Sequence, residues 1–169
     1  MSFIRSFPAV TTPEANTIIL GSAPGKASLN AGQYYAHPRN QFWPIMTTIV
    51  SFPLASSYQT KLRELCLARI ALWDVVKTCE RPGSMDANID KHSVTPNDFA
   101  SLLSSSPSIE RVLFNGAAAE RLFREYVLET IPTAKLAFKT LPSTSPAYAS
   151  MSFENKLKAW KSGISIWTP

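Results

Sequence analysis

A chain of 169 residues, 45% hydrophobic and 17% charged, is long enough to bury one substantial core and too apolar for a disordered or coiled-coil chain. No apolar run approaches the roughly 20 residues of a membrane span, and Met1 to Val10 lacks the apolar region of a secretory signal. The expectation is one domain over 1–169, in a reducing cytoplasm, with Cys66 and Cys79 as packing residues. Two cysteines cannot alone complete a four-cysteine cluster, and with only two histidines beside them no metal site is expected. The net charge of +5 is modest, but its distribution is uneven. No carboxylate falls between Glu14 and Glu64, or between Glu129 and Glu154, while Lys26, Arg39, Lys61, Arg63, Lys135 and Lys139 do. These stretches either form one face that tolerates a polyanion or are mostly core and loop.

In chain order, Thr17-Ile18-Ile19-Leu20 is a short buried strand stopped by Gly21. A helical pattern covers Asn40 to Val50 and another Tyr58 to Ala68. Ile70 to Val76 reads as a second strand. Thr95, Pro96 and Asp98 look like a helix start, opening a helix to Ser104. Arg111 to Phe114 is a third strand, ended by Asn115-Gly116. A helix over Ala117 to Glu129 follows, then a fourth strand over Lys135 to Leu141, ended by Pro142. The last helix spans Phe153 to Lys161, with Gly163 as its stop. Trp73, Trp160 and Trp167 read as packing groups, as do Phe42 and Trp43. Strands alternating with helices predict a three-layer α/β/α domain around a four-stranded, mainly parallel sheet. In such sheets ligands bind beyond the carboxyl ends of the strands. Here those ends are Gly21 to Asn40, Lys77 to Asn88, Asn115-Gly116, and Pro142 to Tyr148.

The first of these loops is the most informative. Half of the six glycines fall in its first twelve residues, where they permit positive φ and close ligand approach. Neither a Walker Gly-Lys-Ser/Thr nor a G-x-G-x-x-G fingerprint is present. Tyr34 and Tyr35 either stack on a planar ring or pack the loop onto the core. Asn40, opening a helix, is either an N-cap or a site residue.

Gly-Ser-Ala-Pro-Gly (21–25), followed by Tyr-Tyr-Ala-His-Pro-Arg-Asn-Gln-Phe-Trp (34–43), resembles the uracil-DNA glycosylase superfamily. The resemblance lies near the mismatch-specific branch and is greater to the sixth family, the hypoxanthine (deoxyinosine) DNA glycosylases. Leu72-Trp73-Asp74-Val75, residues 83–89, Phe114-Asn115-Gly116 and Leu141-Pro142-Ser143-Thr144-Ser145-Pro146-Ala147 carry it further, from about Thr17 to Trp160. It implies a cofactor-free enzyme acting on double- or single-stranded DNA that contains a deaminated base, hypoxanthine first and uracil as the alternative. It departs from the mismatch-specific pattern at Ala23, where those relatives carry a catalytic Asn, and at Leu141, where several branches carry His or Asn. In the deoxyinosine branch the Asn matching Asn40 does the catalytic work.

Hydrolysing an N-glycosidic bond builds positive charge on the sugar and negative charge on the departing base. The resemblance assigns Asn40 to that step and Tyr35 to stacking on the flipped base. Ser22 and Ala23 are candidates to contact the base through their backbone amides. Asn115 is either a pocket residue or a turn residue. The loop from Pro142 to Ala147 matches the one that presses on DNA, with Ser143, Thr144 and Ser145 able to bond phosphates. Lys26, Arg39 and Lys139 either add electrostatic contacts or are simply solvated, and His37 either touches a phosphate or caps its loop. No lysine is obviously placed for a Schiff base, which implies a monofunctional enzyme without strand cleavage; a monomer is expected. Asp86 and Asn88 read as a brace. Asp74 is either an acid/base group or a structural one, since the rest of the site reads as neutral. A non-catalytic damage-binding protein remains the alternative in another class.

Overall fold

The computed structural model describes residues 2–165; Trp167 lies outside them. In chain order the strands are β1 (Phe3–Arg5), β2 (Thr17–Gly21), β3 (Ile70–Asp74), β4 (Val76–Glu80), β5 (Thr95–Pro96), β6 (Arg111–Asn115) and β7 (Ala137–Leu141). The helices are α1 (Lys26–Ala31), α2 (Phe42–Val50), α3 (Tyr58–Leu67), α4 (Phe99–Ser105), α5 (Ala117–Tyr126) and α6 (Phe153–Ser165). The expected parallel sheet is present, with strand order β3-β2-β6-β7.

All five residues of β2 and of β3 are buried, as befits parallel strands covered on both faces. Side chains alternate across the sheet. Ile18, Leu20, Val112 and Phe114 enter one core with Phe99 and Leu102 of α4 and Leu122 and Phe123 of α5. Ile19, Leu72 and Leu113 enter the other, against Phe42, Ile45 and Met46 of α2, Leu65 of α3 and Trp160 of α6. Trp43, Trp73 and Trp160 are core residues, as expected, and each indole N–H donates to a backbone carbonyl, of Tyr34, Phe7 and Pro142 respectively. No described helix is long and apolar enough to cross a membrane.

Several expectations are corrected. The apolar run Ile70–Val76 is not one strand. The chain leaves the parallel sheet at Val75, whose carbonyl accepts from the Asn97 N–H (2.9 Å), while the Asn97 side chain donates to the Asp74 carbonyl (2.8 Å). β4 then pairs antiparallel with β1 and β5 in a second, three-stranded sheet. Thr95-Pro96 does not start a helix. It is β5, and α4 begins at Phe99, capped by Asp98 Oδ1 accepting from the Ser101 N–H at 3.0 Å. The first loop contains a short helix, α1, that the sequence pattern missed.

Gly163 does not stop α6 but lies inside it, where a Cβ would come within 2.6 Å of Leu141 Cδ2. Leu141 ends β7 and is 2% exposed, so it has no room to yield. Gly163→Ala is expected to lose about 1–3 kcal/mol by overpacking, against about 1 kcal/mol gained in helix propensity. Urea denaturation of the variant should show a net loss, and a gain in stability would contradict the close approach.

Candidate active site

Gly21 pairs with Asp74 and Asn115 with Leu141, so the strands end together and open on one side. A cavity of about 560 Å³ lies there, in the usual range for small-molecule sites. Ser22, Ala23, Lys26, Tyr35, His37, Asn40, Asn115, Ser143, Thr144 and Ser145 all line it. Arg39 is exposed and is not among the lining residues, and Lys139 sits in the middle of β7 opposite Leu113.

The first loop is held by its own polar groups. The Asn40 N–H donates to the His37 carbonyl (2.8 Å), and Asn40 Oδ1 accepts from the Phe42 N–H (2.9 Å) at the start of α2. The N-cap reading of Asn40 is corrected, since Gln41 holds that position; Asn40 lies one residue earlier, and its bond to the first N–H of α2 fixes the carbonyl end of the amide on the cavity wall. His37 Nδ1 accepts from the Arg39 N–H at 3.1 Å, so His37 caps its loop. Tyr34 is core, its hydroxyl donating to the Pro8 carbonyl at 2.9 Å. Tyr35 has a φ of 56°, stacks one face on Phe42 with ring centroids 4.1 Å apart, and reaches the cavity.

The second loop is stitched to β6 and to the first loop. Asn115 Nδ2 donates to Thr144 Oγ1, and its Oδ1 accepts from the Thr144 N–H, both at 2.9 Å. The Thr144 carbonyl accepts from the Gln41 N–H at 3.0 Å. Thr144 is 0% exposed, so the expected phosphate contact is corrected: its hydroxyl braces the loop from within. Asn115 is neither a simple turn residue nor a free amide, since both ends of its side chain engage Thr144. Ser143 and Ser145 stay half-buried, and each hydroxyl oxygen accepts a backbone N–H two residues on (3.2 Å). Their O–H groups remain available to donate.

A third segment, the expected strand end before Asn88, closes the wall, and its Arg81 is the residue that sequence reasoning missed. Arg81 is 2% exposed and donates to the Pro24 carbonyl (2.5 Å) and the Gly83 carbonyl (3.3 Å), with Asp86 Oδ1 3.7 Å from its Nη1. Asp86 in turn accepts from the Ser22 hydroxyl at 2.8 Å. Asn88 donates to the Pro82 carbonyl at 3.2 Å. Asp86 and Asn88 thus act as a brace, with Arg81 as its hub. Nothing in the sequence distinguishes Arg81 from a solvated arginine.

The expectation that the site apart from Asp74 is neutral is corrected by Asp86, which also lines the cavity. Asp74 ends β3 on the cavity wall at 3% exposure, and its Oδ2 has no hydrogen-bond partner. Burial, reinforced by Asp86 and opposed by Arg81, pushes its carboxyl up to about 7. Burial also raises Asp86, while the bond from Ser22 and the Arg81 charge pull it down. In the unfolded chain Asp74 ionises near its ordinary 3.8. Below that pH it is neutral in both states and carries no cost. As pH rises from about 4 to about 7 the unfolded chain releases a proton that the fold retains, so stability falls. Above 7 the full cost is roughly 4 kcal/mol. Asp74→Asn is therefore expected to raise Tm at pH 8, with the gain shrinking toward pH 4. A pH-independent difference in thermal melts would contradict this.

Comparison with known proteins gives the family. Residues 8–164 match the family model of the uracil DNA glycosylase superfamily. A hypoxanthine DNA glycosylase of Methanosarcina acetivorans is 36% identical over 161 residues, covering 93% of this chain and 95% of the relative. One from Methanosarcina barkeri is 39% identical over 113 residues, covering 66% of this chain and 70% of its own. A protein of M. acetivorans whose solution NMR structure carries the name of a uracil DNA glycosylase superposes with a TM-score of 0.77 at 33% identity, covering 96% of each chain. The chain belongs to the uracil DNA glycosylase superfamily.

Proposed function

We propose that this protein is a monofunctional DNA glycosylase that hydrolyses the N-glycosidic bond of a deaminated base, hypoxanthine first and uracil second. The observation that carries the reading is the cavity at the sheet's carboxyl ends with the Asn40 amide fixed in its wall. The kinship with two hypoxanthine DNA glycosylases supports the substrate. The protein acts as a single-domain monomer, without a cofactor, on double- or single-stranded DNA.

A base inside a duplex is out of reach of such a cavity, so it must be extruded at a cost of a few kcal/mol, less at a mispaired lesion. The rim holds the groups suited to phosphates: the exposed Lys26, the half-buried Ser143 and Ser145 and, beyond the cavity, the exposed Arg39. Once inside, the base meets Tyr35, which lines the cavity with its ring stacked on Phe42. Ser22 and Ala23 line the cavity at the carboxyl end of β2 and offer backbone amides to the base.

As the bond breaks, negative charge gathers on the departing purine, and fixed donors that cost no reorganisation lower the barrier most. Asn40 fits that task. With Oδ1 committed to the Phe42 N–H, its Nδ2 is the end left to donate to the base, and the second Oδ1 lone pair can hold a water. Lys26 is the lysine at the cavity rim, and it is exposed on the first turn of α1. It lacks the desolvation that makes an amine nucleophilic, which suits hydrolysis without strand cleavage.

Asn40→Ala should slow single-turnover excision of deoxyinosine by about 10²-fold or more. The lost bond to the Phe42 N–H should cost only about 1 kcal/mol in a melt run beside it. Wild-type turnover in this variant would sink the assignment of Asn40. Rapid loss of uracil with none of hypoxanthine would move the substrate within the same reading.

A further inference from the structure

A second cavity, of about 230 Å³, adjoins the first on the other side of the first loop. Tyr35, His37 and Asn40 line both, so the turn they belong to is a shared wall. The remaining wall includes Trp43 of α2 and Tyr58 and Lys61 of α3, and none of the second loop. None of the described residues lining this cavity is a carboxylate, in keeping with the acid-free stretch between Glu14 and Glu64.

Three of its side chains are set to donate. His37 Nδ1 already accepts from the Arg39 N–H at 3.1 Å, so the neutral ring carries its proton on Nε2. The Tyr58 hydroxyl oxygen accepts from the Tyr34 N–H at 3.0 Å, which leaves its O–H to donate. Burial holds that phenol above its ordinary range, so it keeps its proton. Lys61 can only donate, and no carboxylate pairs with it among the described residues. Trp43 organises the set. Its indole N–H is tied to the Tyr34 carbonyl, the Tyr58 ring meets it edge-on at 6.1 Å, and Lys61 Nζ lies 5.6 Å from its ring centroid. The Lys61 charge is thereby held at the cavity by its stem and the ring. A half-buried lining that offers one cation and two neutral donors, with no acid, matches a phosphate, whose oxygens only accept.

We propose that this second cavity is a phosphate site, formed by Lys61, Tyr58 and His37, that takes a backbone phosphodiester of the lesion strand next to the extruded nucleotide. The proposal rests on the glycosylase reading above and adds a contact on the side of the first loop away from the Ser143 and Ser145 rim. The shared wall is what ties the two sites together: a strand whose base enters the first cavity passes its neighbouring phosphate over the turn at His37. Such a contact sets the register of the strand and leaves the bond-breaking step alone.

The test is single-turnover excision from deoxyinosine duplexes over a range of protein concentrations, each duplex carrying one uncharged methylphosphonate linkage near the lesion. For the wild type, one linkage beside deoxyinosine should raise the half-saturating concentration about tenfold while the maximal rate holds. Lys61→Met, which keeps the stem over Trp43, should show the same rise on the unmodified duplex. It should show no further rise when that one linkage is neutral, because each change removes the same contact. Lys158→Met removes an equal charge from an exposed position lining neither cavity, and should couple to no linkage. Melts of both variants exclude misfolding. Unchanged half-saturation in Lys61→Met, or losses that simply add at every linkage, would overturn the proposal. Slowing of the wild type but not of Lys61→Met by inorganic phosphate, with no coupled linkage, would make this a free-anion site and overturn its assignment to DNA. Absence of excision from every duplex, the unmodified one included, would overturn the glycosylase reading itself, and this proposal with it.

Discussion

The site depends on the absence of a side chain at Gly21. This residue ends the central strand β2, pairs with Asp74 at the end of β3, and leaves the space in which Asp74 and the Tyr35 hydroxyl come together. Any larger residue would push either the carboxyl or the phenol off the cavity wall. Because β2 is buried on both faces by two separate cores, its end cannot shift to relieve such a clash. The rigid sheet therefore fixes the position of the polar groups to within what packing allows, which is what a catalytic site needs.

The loops around that point are held by polar stitches more than by apolar packing. Asn115 locks Thr144, Thr144 receives Gln41, and Asn40 accepts the first N–H of α2 from the adjoining turn. On the far side Arg81 ties the Pro24 carbonyl and Gly83 to Asp86, which holds Ser22. An ion pair of this kind, buried on its arginine side, is weak evidence for stability. Together the stitches leave a preformed cavity whose wall carries one fixed amide and one incompletely satisfied carboxyl.

Much of this was legible in the sequence. The four parallel strands stood out as short apolar runs, three of them stopped by Gly, Asn-Gly or Pro, and their ends gathered the unusual residues. What was hidden has physical reasons. Leu72 to Val76 is apolar on both sides of Asp74, so nothing in the pattern marks where the chain crosses from one sheet to the other; the break is made by Asn97, distant in sequence. Thr95-Pro96 has the chemistry of a helix start and is used as an edge strand, with Asp98 as the true cap. Gly163 looks like a stop because its packing against Leu141 is a tertiary fact. At the site, the acid-free loops suggested a neutral pocket. The carboxylates of Asp74 and Asp86 enter it from a strand end and a turn outside those loops. Arg81 left no trace in the pattern, because burial of a charge is decided by partners the sequence does not place together.

The measurement that bears most directly on the account is single-turnover incubation of the wild-type protein with a duplex carrying one deoxyinosine, followed by alkali. Strand scission at the lesion only after alkali, with intact strands before it, is the result expected of a monofunctional glycosylase. Tight, salt-sensitive binding to the lesion duplex with no alkali-labile site would contradict it, and would make the protein a reader of damaged bases that does not remove them.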